Sequence, residues 1–480
     1  MEVALAYLRP SVVRILRAMT MIVFSPNLKR EPTFLEAALK DPLLFRDALL
    51  TLHDVVVSDF DRRLKVRPLS LIELLLDPLI TVSPDSIFFE AFSQDESSYA
   101  RVTLRPDSLK EVTAFQPGTT NIDFSHELVR ALAKIQATSE SWLKVEREGF
   151  EVSVSEKSVK VKKVKVPDSW LRGFLNVQAA MTFPMRWVVL SRSDLYALLN
   201  FLQRHHERIG PRALVLRLND GKPAQALFEP WNITVDLPQS ICQGDGEIRI
   251  WGRRRLLLMR RILPKVQKVF VGLINSGYPS FWLCDLGDAT FTLGISGWTV
   301  RPFKSSALHL LKPRELVDDK VVQLAASLLQ SHKVMTAEEL SQALNISHST
   351  ALTILGILCE RGKAMMDLEV GKFRWREVTD LPISELQMEV DEKREADALK
   401  LVQRGQVKVE SERRTSEGWH LLGTVKGSTG VYKVALTLDE DGSIVDGECE
   451  CQWFRYNHLR SGPCKHILAL RFEALRSKSV

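Results

Sequence analysis

The stretch CECQWFRYNHLRSGPCKH, residues 449–466, holds three of the six cysteines in a chain of 480 residues. Cys449 and Cys451 are separated by one residue, and twelve residues later Cys464 and His466 are separated in the same way. Three thiolates and one imidazole make a complete tetrahedral shell for zinc. In an extended segment, residues i and i+2 face the same side, so Cys449 and Cys451 can bind one ion together. Because four protein ligands leave no open position for a substrate water, the pattern predicts one structural zinc ion.

This cluster has other interpretations. One alternative is that the cysteines are ordinary buried thiols, and another is that Cys449 and Cys451 form a redox pair. A third is that His458 competes as a zinc ligand. Three cysteines and a histidine rarely meet at ligand spacing by accident, so metal binding is favoured. His458 is expected at the surface because the other four residues already fill the shell. The scattered cysteines are expected to be buried free thiols: Cys242, Cys284 and Cys359.

The C-x-C…C-x-H pattern follows a predicted β-hairpin and runs into the helical sequence GPCKHILALRF. In these features residues 425–475 resemble the SWIM zinc finger. The resemblance implies that zinc binds Cys449, Cys451, Cys464 and His466. SWIM fingers occur in bacterial proteins, in or beside Swi/Snf-type ATPases, and in some transposases, where they bind DNA or other proteins.

Four other segments look like parts of bacterial SWIM-finger proteins: FEAFSQDESSY, GTTNIDF, PSFWLCDLG and LGISGWT. This wider resemblance implies a protein partner, and the family context points to an ATPase. The chain itself lacks a G-x-x-x-x-G-K-[ST] phosphate loop, which fits a partner that supplies the nucleotide chemistry.

Composition is typical of a soluble globular protein, with 45% hydrophobic and 26% charged residues and a net charge of +6. The length predicts about two to four domains. Arg9, Arg14 and Arg17 interrupt the apolar N-terminus, so no secretory signal is expected. No run of about 18 apolar residues occurs, so no membrane span is expected. The predicted location is the cytoplasm, where clustered cysteines bind metal more often than they form disulfides.

Apolar periodicity and turn residues predict a multidomain α+β chain. LEAALKDPLLFRDALLTLHDVV and LSLIELLLDPL have helical spacing, and IFFEAF, YARVTLR and VYKVALTL read as strands. Four regions are predicted: a helical N-terminal region at 1–78, a mixed α+β central domain at 79–310, a winged-helix-like domain at 311–382, and a small β-sheet with a ββα-like zinc finger at 383–480.

The winged-helix-like prediction rests on three helices followed by a hairpin. Thr336 and Glu339 form a capping box at the start of the second helix, and Gly371-Lys372 is the hairpin turn. The third helix has no Arg or Lys before Arg361, so it has few residues suited to contact duplex DNA. The hairpin cations Lys372, Arg374 and Arg376 are candidate phosphate contacts, and a protein-docking or spacer role is an equal alternative.

Two segments are strongly basic. WGRRRLLLMRRILPKVQK, residues 251–268, has seven basic residues and no acid, and a helix there would place four arginines on one face. Residues 452–480 hold six basic residues, one acid and the aromatic residues Trp453, Phe454 and Tyr456. Cations that meet phosphate beside aromatic rings are typical of nucleic-acid binding. The candidate contacts are Arg253, Arg254, Arg260, Arg261, Arg455, Arg460, Lys465 and Arg471.

Each basic segment has an alternative interpretation. The arginines of residues 251–268 would be solvated or paired with acidic groups elsewhere in the fold. The aromatic residues after Cys451 would pack on the small zinc module, and this is expected for at least two of the three.

No G-x-S-x-G elbow or H-E-x-x-H motif is present, which favours a non-catalytic protein. The preferred hypothesis is a zinc-binding SWIM-finger protein that binds nucleic acid or docks a partner. A second is an adaptor for an ATPase with purely structural zinc. A third is an enzyme with its site in residues 79–310, where the candidates are Asp123, His126, Asp285 and Asp288.

Overall fold

The structure is a computed structural model. It describes residues 3–7, 10–16, 19–27, 33–60, 77–137, 140–145, 160–164, 168–206, 213–274, 279–296, 317–377, 393–415, 418–438, 444–461 and 463–476. These residues form both α-helices and several β-sheets, which confirms a mixed α+β chain. None of the helices in these ranges is long and apolar enough to cross a membrane.

The helices are numbered in chain order: α1 Pro42–Val56, α2 His126–Leu132, α3 Asp168–Met181, α4 Arg192–Arg204, α5 Asp319–His332, α6 Ala337–Leu344, α7 His348–Glu360, α8 Lys393–Gln403, α9 Gln452–Asn457 and α10 Lys465–Arg476.

The strands are numbered in the same way: β1 Val3–Tyr7, β2 Val12–Leu16, β3 Met19–Phe24, β4 Phe34–Leu39, β5 Leu79–Ser83, β6 Ser86–Phe92, β7 Ser98–Leu104, β8 Leu109–Gln116, β9 Gly118–Asn121, β10 Glu140–Val145, β11 Lys160–Val164, β12 Arg186–Ser191, β13 Ala213–Leu218, β14 Ala224–Phe228, β15 Ile233–Leu237, β16 Ile241–Cys242, β17 Gly246–Trp251, β18 Lys268–Leu273, β19 Ser280–Asp285, β20 Ala289–Ile295, β21 Val334–Met335, β22 Ala364–Asp367, β23 Lys372–Trp375, β24 Val407–Thr415, β25 Gly418–Lys426, β26 Val431–Leu438 and β27 Ile444–Cys449.

The prediction of a helical N-terminal region is wrong for most of its described residues. Four strands precede α1, and three of them lie in a five-stranded sheet of order β2-β3-β10-β4-β8. The sequence LEAAL forms β4 rather than helix because β10 and β8 pair with it on both sides. The helix predicted after it is α1, whose N-cap Asp41 accepts a hydrogen bond from Leu44 N. Most of LSLIELLLDPL lies outside the described residues.

A nine-stranded antiparallel sheet organises the central region, in the order β16-β12-β18-β19-β20-β7-β6-β5-β9. Side chains alternate between its faces. On β7, Val102 and Leu104 enter the main hydrophobic core, against which α1 packs. This side is called the inner face. Arg101 and Thr103 lie on the opposite side, called the outer face, and are both buried.

Helix α3 covers one part of the outer face. Phe174 and Val177 of this helix join Phe92, Tyr99 and Phe281 of the sheet in a separate apolar cluster. Residues 317–377, called here the three-helix unit, cover another part of the outer face through the β22–β23 hairpin. Helix α7 of this unit also packs against α3.

The three-helix unit contains α5, α6 and α7 and a small sheet of order β21-β23-β22. Its predicted capping box is present. Glu339 N donates to Thr336 Oγ1 at 3.0 Å, and Thr336 N donates to Glu339 Oε2 at 2.7 Å. Asn345 ends α6 in the left-handed conformation, and Gly371 occupies the hairpin turn with φ of +67°.

Buried ion pairs fix the β22–β23 hairpin to the outer face. Asp367 accepts from Arg101 Nη2 and Arg374 Nε, both at 2.9 Å. Arg376 pairs with Glu90, and both side chains are fully buried. The expectation that Arg374 and Arg376 touch phosphates is therefore wrong, because both guanidinium groups are enclosed by the chain itself. Lys372 is exposed.

The C-terminal domain, residues 393–476, contains the sheet β24-β25-β26-β27. Helices α8 and α10 pack together, and α10 also packs on the sheet. Leu421 and Leu436 from the sheet and Ile467 and Leu470 from α10 form its core. Trp251 joins the same cluster, so this core is continuous with the edge of the β15-β14-β13-β17 sheet.

Candidate metal centre and cationic surfaces

The four predicted zinc ligands meet at one end of the C-terminal domain. Cys449 is the last residue of β27, Cys451 is the N-cap of α9, and Cys464 immediately precedes α10. His466 is the second residue of α10. Their ligand atoms all lie within 4.8 Å of one another, and all four residues are buried. The twelve-residue insert turns back through α9 and a 3-10 segment at His458–Ser461, which brings the two halves of the motif together.

The donor set fits zinc in chemistry and in size. Cys449 Sγ lies 3.7 Å from His466 Nδ1. Zinc–sulfur and zinc–nitrogen distances of ~2.3 and ~2.0–2.1 Å place two ligands of a tetrahedral shell about 3.6 Å apart. Four buried protein ligands leave no open coordination position, so the chain holds one structural Zn²⁺. His458, which the sequence offered as a competitor, is exposed and outside this cluster.

Packing fixes the orientation of the histidine ring. Tyr432 stacks on His466 with ring centroids 4.4 Å apart. The second ring nitrogen, Nε2, is buried without a hydrogen-bond partner among the described residues. A Cβ at Gly427 would lie 2.8 Å from that nitrogen and 2.9 Å from Tyr432. Gly427 and Tyr432 therefore hold the ring so that Nδ1 faces the thiols.

The three thiols are electrostatically coupled. Hydrogen bonds with Cys449 and Cys464 hold the pKa of Cys451 well below its ordinary value. Hydrogen bonds with Cys451 and Cys464 raise the pKa of Cys449. Phe454 N also donates to Cys451 Sγ at 3.4 Å. A metal ion that binds here must displace the protons that the thiols still hold.

The arginines predicted on one helix face do not form a common exposed surface. Residues 253–260 are a 3-10 helix that follows Gly252 in the left-handed conformation. Arg253 is fully buried, donates to Ala213 O at 2.6 Å and lies over the ring of Trp231. This placement corrects its prediction as a nucleic-acid contact.

The other three arginines of that segment have separate environments. Arg254 Nη1 donates to the carbonyl oxygens of Leu202 and His205, both at 3.2 Å. Arg261 forms two hydrogen bonds with Asp54 of α1, at 2.8 and 3.2 Å. Arg260 is exposed. Arg254 and Arg261 therefore agree with the alternative interpretation, because both are hydrogen-bonded to groups from elsewhere in the fold.

The basic residues of the zinc finger are also divided. Arg455 is exposed and Lys465 is half-buried. Arg471 is only 3% exposed, so its prediction as a nucleic-acid contact is wrong. The side chain of Arg460 lies outside the described ones. Of the three aromatic residues, Phe454 is buried and Trp453 packs against the domain core, while Tyr456 is 70% exposed. Two of the three therefore pack on the domain, which agrees with the prediction of at least two.

The four catalytic candidates have structural contacts. Asp123 accepts a hydrogen bond from Ser11 N at 3.0 Å. Asp285 pairs with Arg105, and Asp288 pairs with Lys40, both at 3.1 Å. His126 begins α2, where its ring meets the edge of His53 at 6.0 Å. These contacts do not place the four in one catalytic constellation.

Sequence reasoning missed a second cationic surface in the C-terminal domain. Strand β25 directs Leu421 and Val425 towards α10, so Leu422 and Lys426 lie on the other side of the sheet. This side is called the open face. Cross-strand pairing places four exposed cations on it: Lys408, Arg413, Lys426 and Lys433. The signal for Lys426 and Lys433 was present in the alternation of WHLLGTVKG and VYKVALTL. Arg413 could not be placed in this way, because a β-bulge between Val409 and Ser411 reverses the alternation on β24.

Comparisons with known proteins agree with the metal centre. Residues 432–470 match the family model of the SWIM zinc finger, and together with the four-residue cluster this identifies the segment as a SWIM-type zinc finger. Among solved structures, the chain is similar to the Proliferating Cellular Nuclear Antigen from Entamoeba histolytica, with a TM-score of 0.37 and 10% identity. That match covers 55% of this chain and 98% of the other. No curated protein matches the chain.

Proposed function

We propose that the C-terminal domain is a non-catalytic module that binds the phosphate backbone of nucleic acid through its open face, with zinc as the structural support. The observation that carries the proposal is that the four cations of the open face are not neutralised by ion pairs within the fold. None of Lys408, Arg413, Lys426 and Lys433 has an ion-pair partner among the described residues. By contrast, Arg261, Arg374 and Arg376 are all paired within the chain.

The shape of the open face supports this function. Lys408, Thr424 and Lys433 lie side by side across β24, β25 and β26, and strands of a sheet are ~4.8 Å apart. Lys426 lies opposite Val431 at the end of the β25–β26 hairpin. Four cations spread over three strands match the repeated charges of a phosphate backbone.

Glu410 also reaches this face, where it accepts from Thr424, and the net charge on β24–β26 is +3. The fourth strand, β27, places the exposed Asp446 and Glu448 on the same face, and Glu450 accepts from Lys433 N. The cationic part of the open face is therefore the side formed by β24–β26.

Zinc supports this surface indirectly. His466 and Tyr432 stack beside Gly427, so the metal centre lies next to the hairpin that joins β25 to β26. Lys426 and Lys433 flank this hairpin on both sides. Three thiolate ligands require a reducing compartment, which supports the cytoplasm as the location.

The test is charge reversal at all four positions of the open face. The variant Lys408→Glu, Arg413→Glu, Lys426→Glu, Lys433→Glu is compared with the natural chain by fluorescence anisotropy on labelled single- and double-stranded DNA and RNA. We expect at least a ~100-fold loss of affinity and a shallower dependence on salt, because phosphate contacts release counterions. Measurement between about 50 and 200 mM salt resolves both effects.

A matched control changes the same net charge elsewhere. Lys134, Lys268, Lys222 and Lys320 are exposed and lie outside the C-terminal domain. Reversing these four should lower affinity far less. Equal losses in the two variants would show that only net charge matters, and full affinity in the open-face variant would contradict the proposal.

A protein-docking function is the second candidate, and two exposed apolar residues favour it. Leu422 is 52% and Val431 is 62% exposed on the same open face. An ATPase partner is the expectation from the family resemblance. The double variant Leu422→Ser, Val431→Ser should lose a partner recovered from the native host without changing the salt dependence of nucleic-acid binding. Recovery of the same partner with both chains would contradict this second function.

The three-helix unit has the element order of a winged helix, and we assign it a spacer function. Its hairpin arginines are buried against the central sheet, and α7 packs against α3. The surfaces that a winged helix uses to contact DNA are thereby partly occupied within this chain.

A further inference from the structure

A cavity lies between the outer face of the central sheet and the β22–β23 hairpin. Its volume is about 590 Å³, within the range of small-molecule sites. The sheet contributes Trp187, Phe270 and Leu283, and the hairpin contributes Leu368 and Val370. Phe270 and Val370 are 38% and 49% exposed. The wall is therefore mostly apolar, with two exposed apolar residues where it meets solvent.

The other end of the cavity is acidic. Five carboxylates line it: Asp85, Asp107, Asp285, Asp367 and Glu369. Arg105 and Arg374 line it too, and each pairs with two of these carboxylates. Arg101 pairs with Asp367 from behind the wall. Five carboxylates against three guanidinium groups leave an excess of two negative charges.

Polar atoms at this end lack partners. Thr103 is 2% exposed, and its Oγ1 has no hydrogen-bond partner among the described residues. It lies on the outer face between Arg101 and Arg105, whose ion pairs run to the hairpin. Glu369 Oε1 accepts from Arg105, but Oε2 is buried and unpaired. Asp107, exposed at the edge of the cavity, has no ion pair within the described part of the chain.

A buried polar atom without a partner is costly, since the desolvation penalty of its group is not recovered. Thr103 and Glu369 both line the cavity, so a donor bound there would be the group that completes these hydrogen bonds. The excess negative charge favours a cationic ligand. The apolar wall, with the aromatic residues Trp187 and Phe270, requires an apolar body and offers cation–π contacts.

We propose that this cavity binds an organic amine in its ammonium form. The ammonium group donates to Glu369 Oε2 and Thr103 Oγ1 and is attracted by Asp107, while the hydrocarbon part packs on Trp187 and Phe270. This site is separate from the zinc finger and from the open face, and it goes beyond the proposed function.

The test is isothermal titration calorimetry of the full, zinc-loaded chain with probes of one shape and different charge. 2-Phenylethylamine should bind, and the neutral 2-phenylethanol and the anionic phenylacetate should bind at least ~10-fold more weakly, as expected for the loss of a charged hydrogen bond. Cadaverine tests whether an aliphatic body suffices. Binding of all three aromatic probes with equal affinity would overturn the proposal, as would no binding of either amine.

Variants that preserve the fold locate the site. Thr103→Val removes only an unpaired hydroxyl, and Asp107→Asn removes an exposed charge without an ion pair. Each should weaken amine binding, Asp107→Asn by about five-fold, and Phe270→Ala should weaken 2-phenylethylamine more than cadaverine. Glu111→Gln, an exposed acid on β8, is the matched control. Unchanged affinity in all three cavity variants would overturn the proposal. The charge-reversed open face should still bind amine, so the two proposals fail independently.

Discussion

Gly427, in the β25–β26 hairpin, packs closely against the ring of the zinc ligand His466. Because a Cβ there would lie 2.8 Å from Nε2 and 2.9 Å from Tyr432, Gly427→Ala must move the ring or the hairpin. Loss of support around a metal-bound histidine typically weakens metal binding by about 10–100-fold. We expect a loss in that range, measured by competition for zinc with a coloured chelator.

The control for this substitution is Gly356→Ala. A Cβ at Gly356 meets nothing within 4 Å, and the residue lies in α7, far in sequence from the finger. Its zinc affinity should equal that of the natural chain. If Gly427→Ala also bound zinc normally, the close packing would have no function in holding the ring.

Single residues were predictable where chemistry alone selects them. Cys449, Cys451, Cys464 and His466 could be named because zinc requires those residue types within a short spacing. Arg253 could not be placed, since its partner Ala213 O lies 40 residues away in the sequence. A run of arginines looks the same whether its charges face solvent or an internal carbonyl oxygen.

Several elements of the C-terminal domain depend on the metal. The ligands come from the end of β27, the N-cap of α9 and the first turn of α10. The three cysteine ligands also belong to the domain core, together with Ile467 and Leu470. Removing zinc with a chelator should therefore loosen α9 and α10 and make residues 444–476 sensitive to protease, because metal-binding energy is folding energy in such modules. Mass spectrometry of the fragments identifies the cleavage sites.

Regions of the chain away from the finger serve as a control for zinc removal. The core around α1 and the central sheet includes none of the four ligands, so residues 33–60 and 77–137 should remain resistant. Cys464→Ser should reproduce the chelator effect without added reagent, whereas Cys359→Ser, at a buried thiol of α7, should not. Resistance of residues 444–476 after complete zinc removal would contradict a structural function for the metal.

Helices and strands could be predicted where the local sequence pattern agreed with the contacts made in the folded chain. The Thr336–Glu339 capping box and the Gly371 turn fixed α6 and the β22–β23 hairpin because their hydrogen bonds are local. LEAAL has good helical propensity but forms β4, because its partners β10 and β8 lie about 70–110 residues later in the chain. Pairing of distant strands overrides a weak local preference.

Over the whole molecule, buried charge joins regions that are far apart in sequence. Arg101 and Asp367 are 266 residues apart, and Arg376 and Glu90 are 286 residues apart. No local pattern marks these residues as partners. The order of the helices and the hairpin was readable, but the surface against which the hairpin packs was not.

Asp367 makes this docking dependent on pH. Burial alone would raise its pKa, but the guanidinium groups of Arg101 and Arg374 hold the pKa of this carboxyl below its ordinary value of 3.8. A lowered pKa in the folded state means that the ionised carboxylate stabilises the fold above about pH 4, and this contribution is lost as the pH falls through the folded value. Breaking a buried ion pair costs about 3–5 kcal/mol. Asp367→Asn should therefore lower the thermal midpoint at pH 7.

The pH profile separates this effect from general acid sensitivity. Thermal midpoints of the natural chain and Asp367→Asn are compared from pH 7 to pH 3, so that titration of all other groups, including the zinc ligands, is common to both chains. The difference should be largest at neutral pH and should shrink below about pH 4, where this carboxyl becomes protonated first in the unfolded chain and, at lower pH, in the folded chain. Asp319→Asn removes a carboxylate from an exposed pair with Arg361 in the same three-helix unit. Because exposed ion pairs contribute only about 0–1 kcal/mol, this control should change the midpoint little. A difference for Asp367→Asn that stays constant over the whole range would show that shape, and not charge, holds the hairpin to the sheet.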